Sequence, residues 1–192
     1  AILKQAGIGK VVFGICGGFQ MLGETLADPL GIETSGEVRG MGLLPIDTVF
    51  LDEKTRTRVT GSFLTGDTIF DSLKDQKLEA EGYEIHMGQS TLKAGAKHLL
   101  SLTDAVTGQT KQDGAYKENV FGSYVHGIFD GAGIAQTVIQ ALAEKKGVQM
   151  GDIGSMTYAE YKETQYDLLA ASLREYLNME KIYRILETGI DE

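Results

Sequence analysis

Cys16 is the only cysteine of the chain, and it stands inside Gly14-Ile15-Cys16-Gly17-Gly18-Phe19-Gln20, directly after a β-branched and aromatic run. A small nucleophilic side chain between glycines, where a strand hands over to a helix, is the nucleophile-elbow arrangement, with a thiol in place of a hydroxyl. The turn strains the backbone at the nucleophile, and side chains at the neighbouring positions are expected to collide with the preceding strand. A helix N-terminus beside the sulfur favours thiolate over thiol. The Gly17 N–H points the same way and can receive negative charge that develops on an attacked carbonyl. A lone cysteine is more often a small buried hydrophobe; the glycine setting reverses that preference.

A proton acceptor is needed for such a thiol. His126, in Gly122-Ser123-Tyr124-Val125-His126-Gly127-Ile128-Phe129-Asp130, follows an apolar run and precedes a glycine. That puts it at the end of a strand, the edge where parallel sheets keep their ligands, although spacing alone fits a structural histidine equally well. A third segment, Gly82-Tyr83-Glu84-Ile85-His86-Met87-Gly88, alternates so that Glu84 and His86 share one face and Tyr83, Ile85 and Met87 the other. The polar face can border a pocket or be the solvated side of an edge strand. One Glu with one His is too few for zinc, so no metal is expected. His98 reads as loop or strand-edge surface. Gly14-x-x-Gly17-Gly18 lacks the Gly-Lys-Ser/Thr of a Walker loop, which leaves nucleotide binding without local support.

Elements must place these residues. Residues 11–15 (VVFGI) read as a buried central strand, and Phe19 to Ala27 as a helix ended by Asp28-Pro29. Strand, tight turn and helix make half of a parallel α/β unit. Leu43 to Phe50, Thr57 to Leu64, Glu79 to Met87, His98 to Thr103 and Asn119 to Val125 read as strands. A helix from Ile134 to Lys146 has Lys145 and Lys146 at its negative end and Gly147 at its cap. Thr157 and Glu160 have capping-box spacing for a longer helix with a Tyr161, Leu168, Leu169, Leu173, Tyr176 stripe, and Met179 to Leu186 forms a last short helix. No repeat or linker interrupts the chain, so one domain with C-terminal helices is expected.

Composition narrows the function. The chain has 192 residues, 42% apolar and 23% charged, with 18 Lys plus Arg against 27 Asp plus Glu, a net charge of −9. Such an acidic surface repels phosphate backbones and anionic lipid, so neither nucleic acid nor membrane is an expected partner. No apolar run approaches the roughly 20 residues of a membrane span, and Ala1 to Lys10 lack the features of a secretory signal. One cysteine suits a reducing cytoplasm. The 25 glycines have no period, which excludes collagen and solenoids.

In this order the segments resemble class I (triad-type) glutamine amidotransferases, most closely the glutaminase domains of the cobyric acid synthase family. The elbow GICGGFQMLG matches the general Gly-x-Cys-x-Gly-x-Gln pattern. The narrower likeness lies in Asp28-Pro29-x-Gly31-x-Glu33, Gly40-x-Gly42-Leu43-Leu44-Pro45, Lys54-Thr55, GYEIHMG, YVHGIFD and the stretch Tyr166-Asp167-Leu168-Leu169-Ala170 with Leu173-Arg174. The resemblance implies a flavodoxin-like α/β fold with C-terminal helices. It implies that Cys16 attacks the side-chain amide of glutamine, that His126 shuttles the proton, that Gln20 holds the substrate and that the Gly17 N–H supplies an oxyanion donor; Glu84 and His86 stay substrate-binding candidates on the polar face of their strand. No cofactor is implied for this domain. ATP and magnesium belong to a synthetase domain, which activates corrinoid carboxylates (adenosylcobyrinic acid a,c-diamide) for amidation in cobalamin biosynthesis.

The sequence departs from the pattern in two ways. Many class I enzymes carry Glu two residues after the catalytic His, where this chain has Ile128; a Cys–His dyad is expected, with Glu84 a candidate to orient His126. The nucleophile also normally follows several strands, so the chain reads as a C-terminal fragment without its N-terminal strands, the upstream loop that gives a second oxyanion donor, or the synthetase domain. The alternatives are a cobyrinic acid a,c-diamide synthase, a cell-wall lipid II amidotransferase, which differs at EIHM, and a non-catalytic docking module.

Overall fold

The computed structural model describes residues 1–33, 35–66, 68–131, 133–149 and 157–189. The chain forms two compact units, Ala1–Ile153 and Gly154–Glu192. In chain order the first holds α1 (Ile2–Gly7), β1 (Val12–Ile15), α2 (Gly17–Leu22), β2 (Thr25–Asp28), β3 (Gly36–Arg39), β4 (Ile46–Phe63), α3 (Asp71–Asp75), β5 (Glu79–Leu92), β6 (Leu100–Asp104), β7 (Thr110–Asp113), β8 (Ala115–Lys117), β9 (Val120–Ser123) and α4 (Ile134–Lys146). The second holds α5 (Tyr158–Tyr176) and α6 (Met179–Thr188).

The expected strand-turn-helix unit is present: β1 pairs in parallel with β9, Gly14 opposite Gly122, and α2 follows at once. Both glycines are there for close approach. A Cβ on Gly14 would stand 2.7 Å from the Gly18 backbone in α2, and one on Gly122 would overlap the Phe19 ring. Without those side chains α2 lies directly on the two strands. The collision expected at the elbow itself does not arise, since Cβ atoms at Gly17 or Gly18 would meet nothing within 4 Å. The steric demand sits one layer down.

Two element assignments change. The helix expected over Phe19 to Ala27 stops at Leu22; Thr25–Asp28 is a strand, pairing antiparallel with β3 and parallel with β4. Leu26 fits a helix stripe and a strand alternation equally, and the extended Gly23 breaks the helix before it. The strands expected over Leu43 to Phe50 and Thr57 to Leu64 are one, β4. Its two parts join through residues 51–54, which form a bulge where Phe50 pairs with Gly88 and Thr55 with His86. One edge of β4 carries β5; the other carries β2 near its start and β6 near its end.

The core that backs β1 and β9 is aromatic. Phe13 packs edge-on to Phe70 and Phe129 and parallel to Phe121, and Leu73, Leu99, Leu100, Val125, Ile128 and Ile134 close around them. The helix ends follow the sequence closely: α4 spans the expected residues and ends on left-handed Gly147, φ 66°. In the second unit Thr157 and Glu160 make both bonds of the capping box, and Asn178 caps α6. No described helix is long and apolar enough to cross a membrane.

Candidate active site

The register of two strands brings the reactive side chains to one edge. Ile15 of β1 stands opposite Ser123 of β9, so Cys16 leaves the sheet just after its strand and His126 follows three residues after Ser123. Cys16 has φ 53° and ψ −115°, near the first corner of a type II′ turn, a conformation that costs a side-chain-bearing residue about 1–3 kcal/mol. The strain holds Sγ out of the sheet, with the Gly17 amide directed at it.

Burial pushes the Cys16 thiol above its ordinary 9.0, and the hydrogen bond from Gly17 pulls it back only in part. This corrects the expectation of a thiolate favoured by the helix. The helix α2 has only six residues, and burial is the largest influence on the thiol. Sγ instead points at the carbonyl oxygen of Ile85, 3.8 Å away. A thiol held neutral needs a base at the moment of attack.

His126 meets β5 two residues before Ile85. The Tyr83 amide donates to the His126 carbonyl at 3.1 Å, the His126 amide donates back at 2.8 Å, and the two rings stack with centroids 4.9 Å apart and planes 7° from parallel. Its Nε2 is buried without a hydrogen-bond partner. Among the described residues no hydrogen bond joins Cys16 to His126. Both are instead fixed against the same strand, Cys16 at Ile85 and His126 at Tyr83.

Beside the sulfur lies a pocket of about 430 Å³ lined by Cys16, Gly17, Gln20 and His86 together with residues from three further strands and a turn. Its size falls in the range of small-molecule sites, roughly 300–1,000 Å³. Gln20 is buried, and its Nε2 donates to the Tyr124 hydroxyl at 3.4 Å. That hydroxyl bonds Ser90 Oγ at 2.8 Å, which bonds Thr48 Oγ1 at 2.7 Å. His86 stacks on Tyr124, centroids 3.7 Å apart, and its Nδ1–H donates to the Gly88 carbonyl at 2.8 Å.

Glu84 does not reach the pocket. Alternation along β5 turns it and His86 inward and leaves Tyr83 and Ile85 half-exposed, so the polar face is the buried one. Glu84 is fully buried and pairs with Lys111 Nζ at 2.6 Å; His86 Nε2 is 3.8 Å off, beyond hydrogen-bond reach. Burial alone would raise the Glu84 carboxyl, yet His86 and Lys111 together hold it below its ordinary 4.5. It is therefore a support behind His86, and it does not orient His126. His98 lies in a loop, with Nδ1 3.3 Å from the Gly114 carbonyl.

Several wall residues had no role in the sequence reading: Leu26, Val38, Phe50, Asp28 and Glu33. Asp28 is buried and accepts the amides of Ile32, Glu33 and Ser35 at 2.9, 2.7 and 3.2 Å, which folds the following turn back and sets Glu33 on the pocket wall. The Asp-Pro-x-Gly-x-Glu spacing was the available signal. Among the described residues no group of three or more His, Cys, Asp or Glu is placed to hold a metal ion.

Residues 1–134 match the family of CobB/CobQ-like glutamine amidotransferase domains. A cobyric acid synthase of Ruminiclostridium cellulolyticum is 48% identical over 192 residues, covering 99% of this chain and 37% of that protein. One of Lachnoclostridium phytofermentans is 40% identical over 201 residues, covering 99% and 38%. The chain thus spans little more than a third of the curated relatives it matches. A solved structure of PurLQS from Thermotoga maritima is 20% identical, covers 76% of this chain and 66% of its own, and gives a TM-score of 0.49, a likeness too slight to argue from.

Proposed function

Because the chain belongs to the CobB/CobQ-like glutamine amidotransferase family, we propose that it is the glutamine-hydrolysing part of a cobyric acid synthase, working in the cytoplasm and supplying ammonia to a synthetase part outside this chain. The observation that carries the reading is the pocket beside the strained Cys16, walled by Gly17, Gln20 and His86, at the end of a parallel strand pair whose other member leads to His126.

In this reading glutamine enters with its side-chain amide at Cys16. His126 takes the thiol proton as Sγ bonds to the amide carbon, and the Gly17 N–H stabilises the oxyanion. The C–N bond breaks, the proton on His126 goes to the leaving nitrogen, and ammonia departs from a glutamyl thioester. Water, deprotonated by His126, attacks the thioester carbon; the C–S bond breaks, glutamate leaves and the thiol regains its proton. Gln20, braced by Tyr124, and His86, backed by Glu84, hold the substrate, and Glu33 faces its α-ammonium. ATP and magnesium serve the synthetase part, where corrinoid carboxylates are activated. The family description covers both CobB and CobQ types, and the relatives at 40–48% identity favour the second.

The test is covalent. The folded protein is treated with 6-diazo-5-oxo-norleucine and mapped by mass spectrometry. A single adduct on Cys16, suppressed by free glutamine, is expected. Labelling elsewhere, or at Cys16 but indifferent to glutamine, would remove the reading.

A further inference from the structure

We propose that Tyr83 is the positioning residue for His126, doing from the face of the ring what a carboxylate does at its edge in a three-residue site. The inference rests on the reading of Cys16 and His126 as nucleophile and base. Among the described residues no carboxylate is hydrogen-bonded to the His126 ring. Ile128, two residues on, is apolar and fully buried. Glu84 lies on the opposite face of β5 and is taken up by Lys111 and His86. Asp130 Oδ2 lies over Gly127 and makes no bond to the imidazole.

Tyr83 holds His126 at three points. Two backbone hydrogen bonds, 3.1 and 2.8 Å, form an isolated bridge that extends no further along either segment. The approach is possible because residue 82 is glycine: a Cβ there would overlap the His126 carbonyl oxygen. The phenol ring then lies flat on the imidazole, 4.9 Å between centroids and 7° between planes. A ring stacked this way can turn within its own plane but cannot tip out of it. Stacking therefore limits where the ring nitrogens point without engaging either of them, and Nε2 stays free of partners to meet a thiol. When His126 takes the proton from Cys16, the resulting imidazolium lies on the negative face of the phenol, a cation–π contact. Position and charge stabilisation are the two services a carboxylate gives to a catalytic histidine. Here one aromatic face supplies both.

The test uses the full-length protein. Tyr83 is 50% exposed, so Tyr83→Leu leaves the core intact, which a thermal melt verifies. Tyr83→Leu is expected to lower glutaminase kcat about tenfold with KM changed by less than about twofold, and Tyr83→Phe, which keeps the ring, to restore most of the loss. In a His126→Ala background, Tyr83→Leu is expected to leave the rate of Cys16 alkylation by iodoacetamide unchanged, because its whole effect passes through His126. An unaffected Leu variant, equal losses in the Phe and Leu variants, a change in KM alone, or a further loss in the His126→Ala background would each overturn the proposal. If the unmodified protein fails to hydrolyse glutamine, the reading of Cys16 and His126 falls, and the proposal with it.

Discussion

The Cys16 amide donates to the Ser123 carbonyl at 2.9 Å, the last bond of the β1–β9 pair. It ties the elbow to the strand that leads into His126, so the backbone at residue 16 cannot relax without losing that bond.

Replacing Cys16 separates chemistry from strain. Both Cys16→Ala and Cys16→Gly are expected to abolish glutamine hydrolysis. At φ 53° alanine keeps the strain and glycine releases it, less the entropy that glycine adds to the unfolded chain. Cys16→Gly is thus expected to be more stable than Cys16→Ala by about 1 kcal/mol in urea unfolding. Equal midpoints would mean that the turn relaxes in solution.

Gly82→Ala drives a methyl into the His126 carbonyl, and because the obstacle is backbone the strands must part. A loss of about 1–3 kcal/mol is expected, the usual cost of overpacking. Glutaminase activity should fall much further than the stability loss explains, since His126 loses its bridge to Tyr83. Activity kept at wild-type level would show that the bridge is dispensable.

Lys111 and Glu84 form a pair in which the acid is fully buried and the base 42% exposed. Lys111→Met strands a buried carboxylate and is expected to cost about 2 kcal/mol, below the figure for a wholly buried pair because the lysine is partly solvated. Adding Glu84→Gln should recover most of it. The Glu84 carboxyl is held below 4.5, so its contribution is present above that value and fades as pH falls through the folded-state pKa. The double variant should lack that acid-side loss.

Asp113 behaves in the opposite sense. Burial raises its carboxyl above 3.8; the Ser123 hydroxyl, 2.6 Å away, opposes the shift and Glu84 adds to it. Above 3.8 the unfolded chain has released this proton while the folded chain retains it, so stability drains as pH rises through the folded pKa. Asp113→Asn keeps an acceptor for Ser123 and for the Tyr124 amide and does not titrate. Relative to the unmodified protein it is expected to gain stability as pH is raised above 3.8 and through the raised folded-state pKa of Asp113. Parallel stability curves would refute this.

The parts of this protein that sequence reveals are those written locally. The end of α4 at Gly147 and the capping box at Thr157 depend on residues within one turn of each other. The elbow is of the same kind: Cys16, Gly17 and Gln20 share the pocket wall because they share one turn and the short helix behind it. His86 arrived there through strand alternation. The Tyr83–His126 stack is different, since it pairs residues far apart in the chain and depends on a glycine whose reason is visible only in three dimensions. Glu84 misleads because alternation gives the face a side chain takes but not its partner: it shares the inward face with His86, yet Lys111 of another strand takes it up. Leu26 misleads because three or four apolar positions do not distinguish a period of 3.6 from one of 2.

The pairing of Val12 with Val120 also sets a timetable. A ribosome makes β1 about a hundred residues before β9, its strand partner among the described residues, an interval of roughly 5–20 s at ordinary elongation rates. Through that interval the apolar, β-forming segment beside the thiol is without β9, and the pairing that fixes the elbow forms only when the last of the described strands emerges.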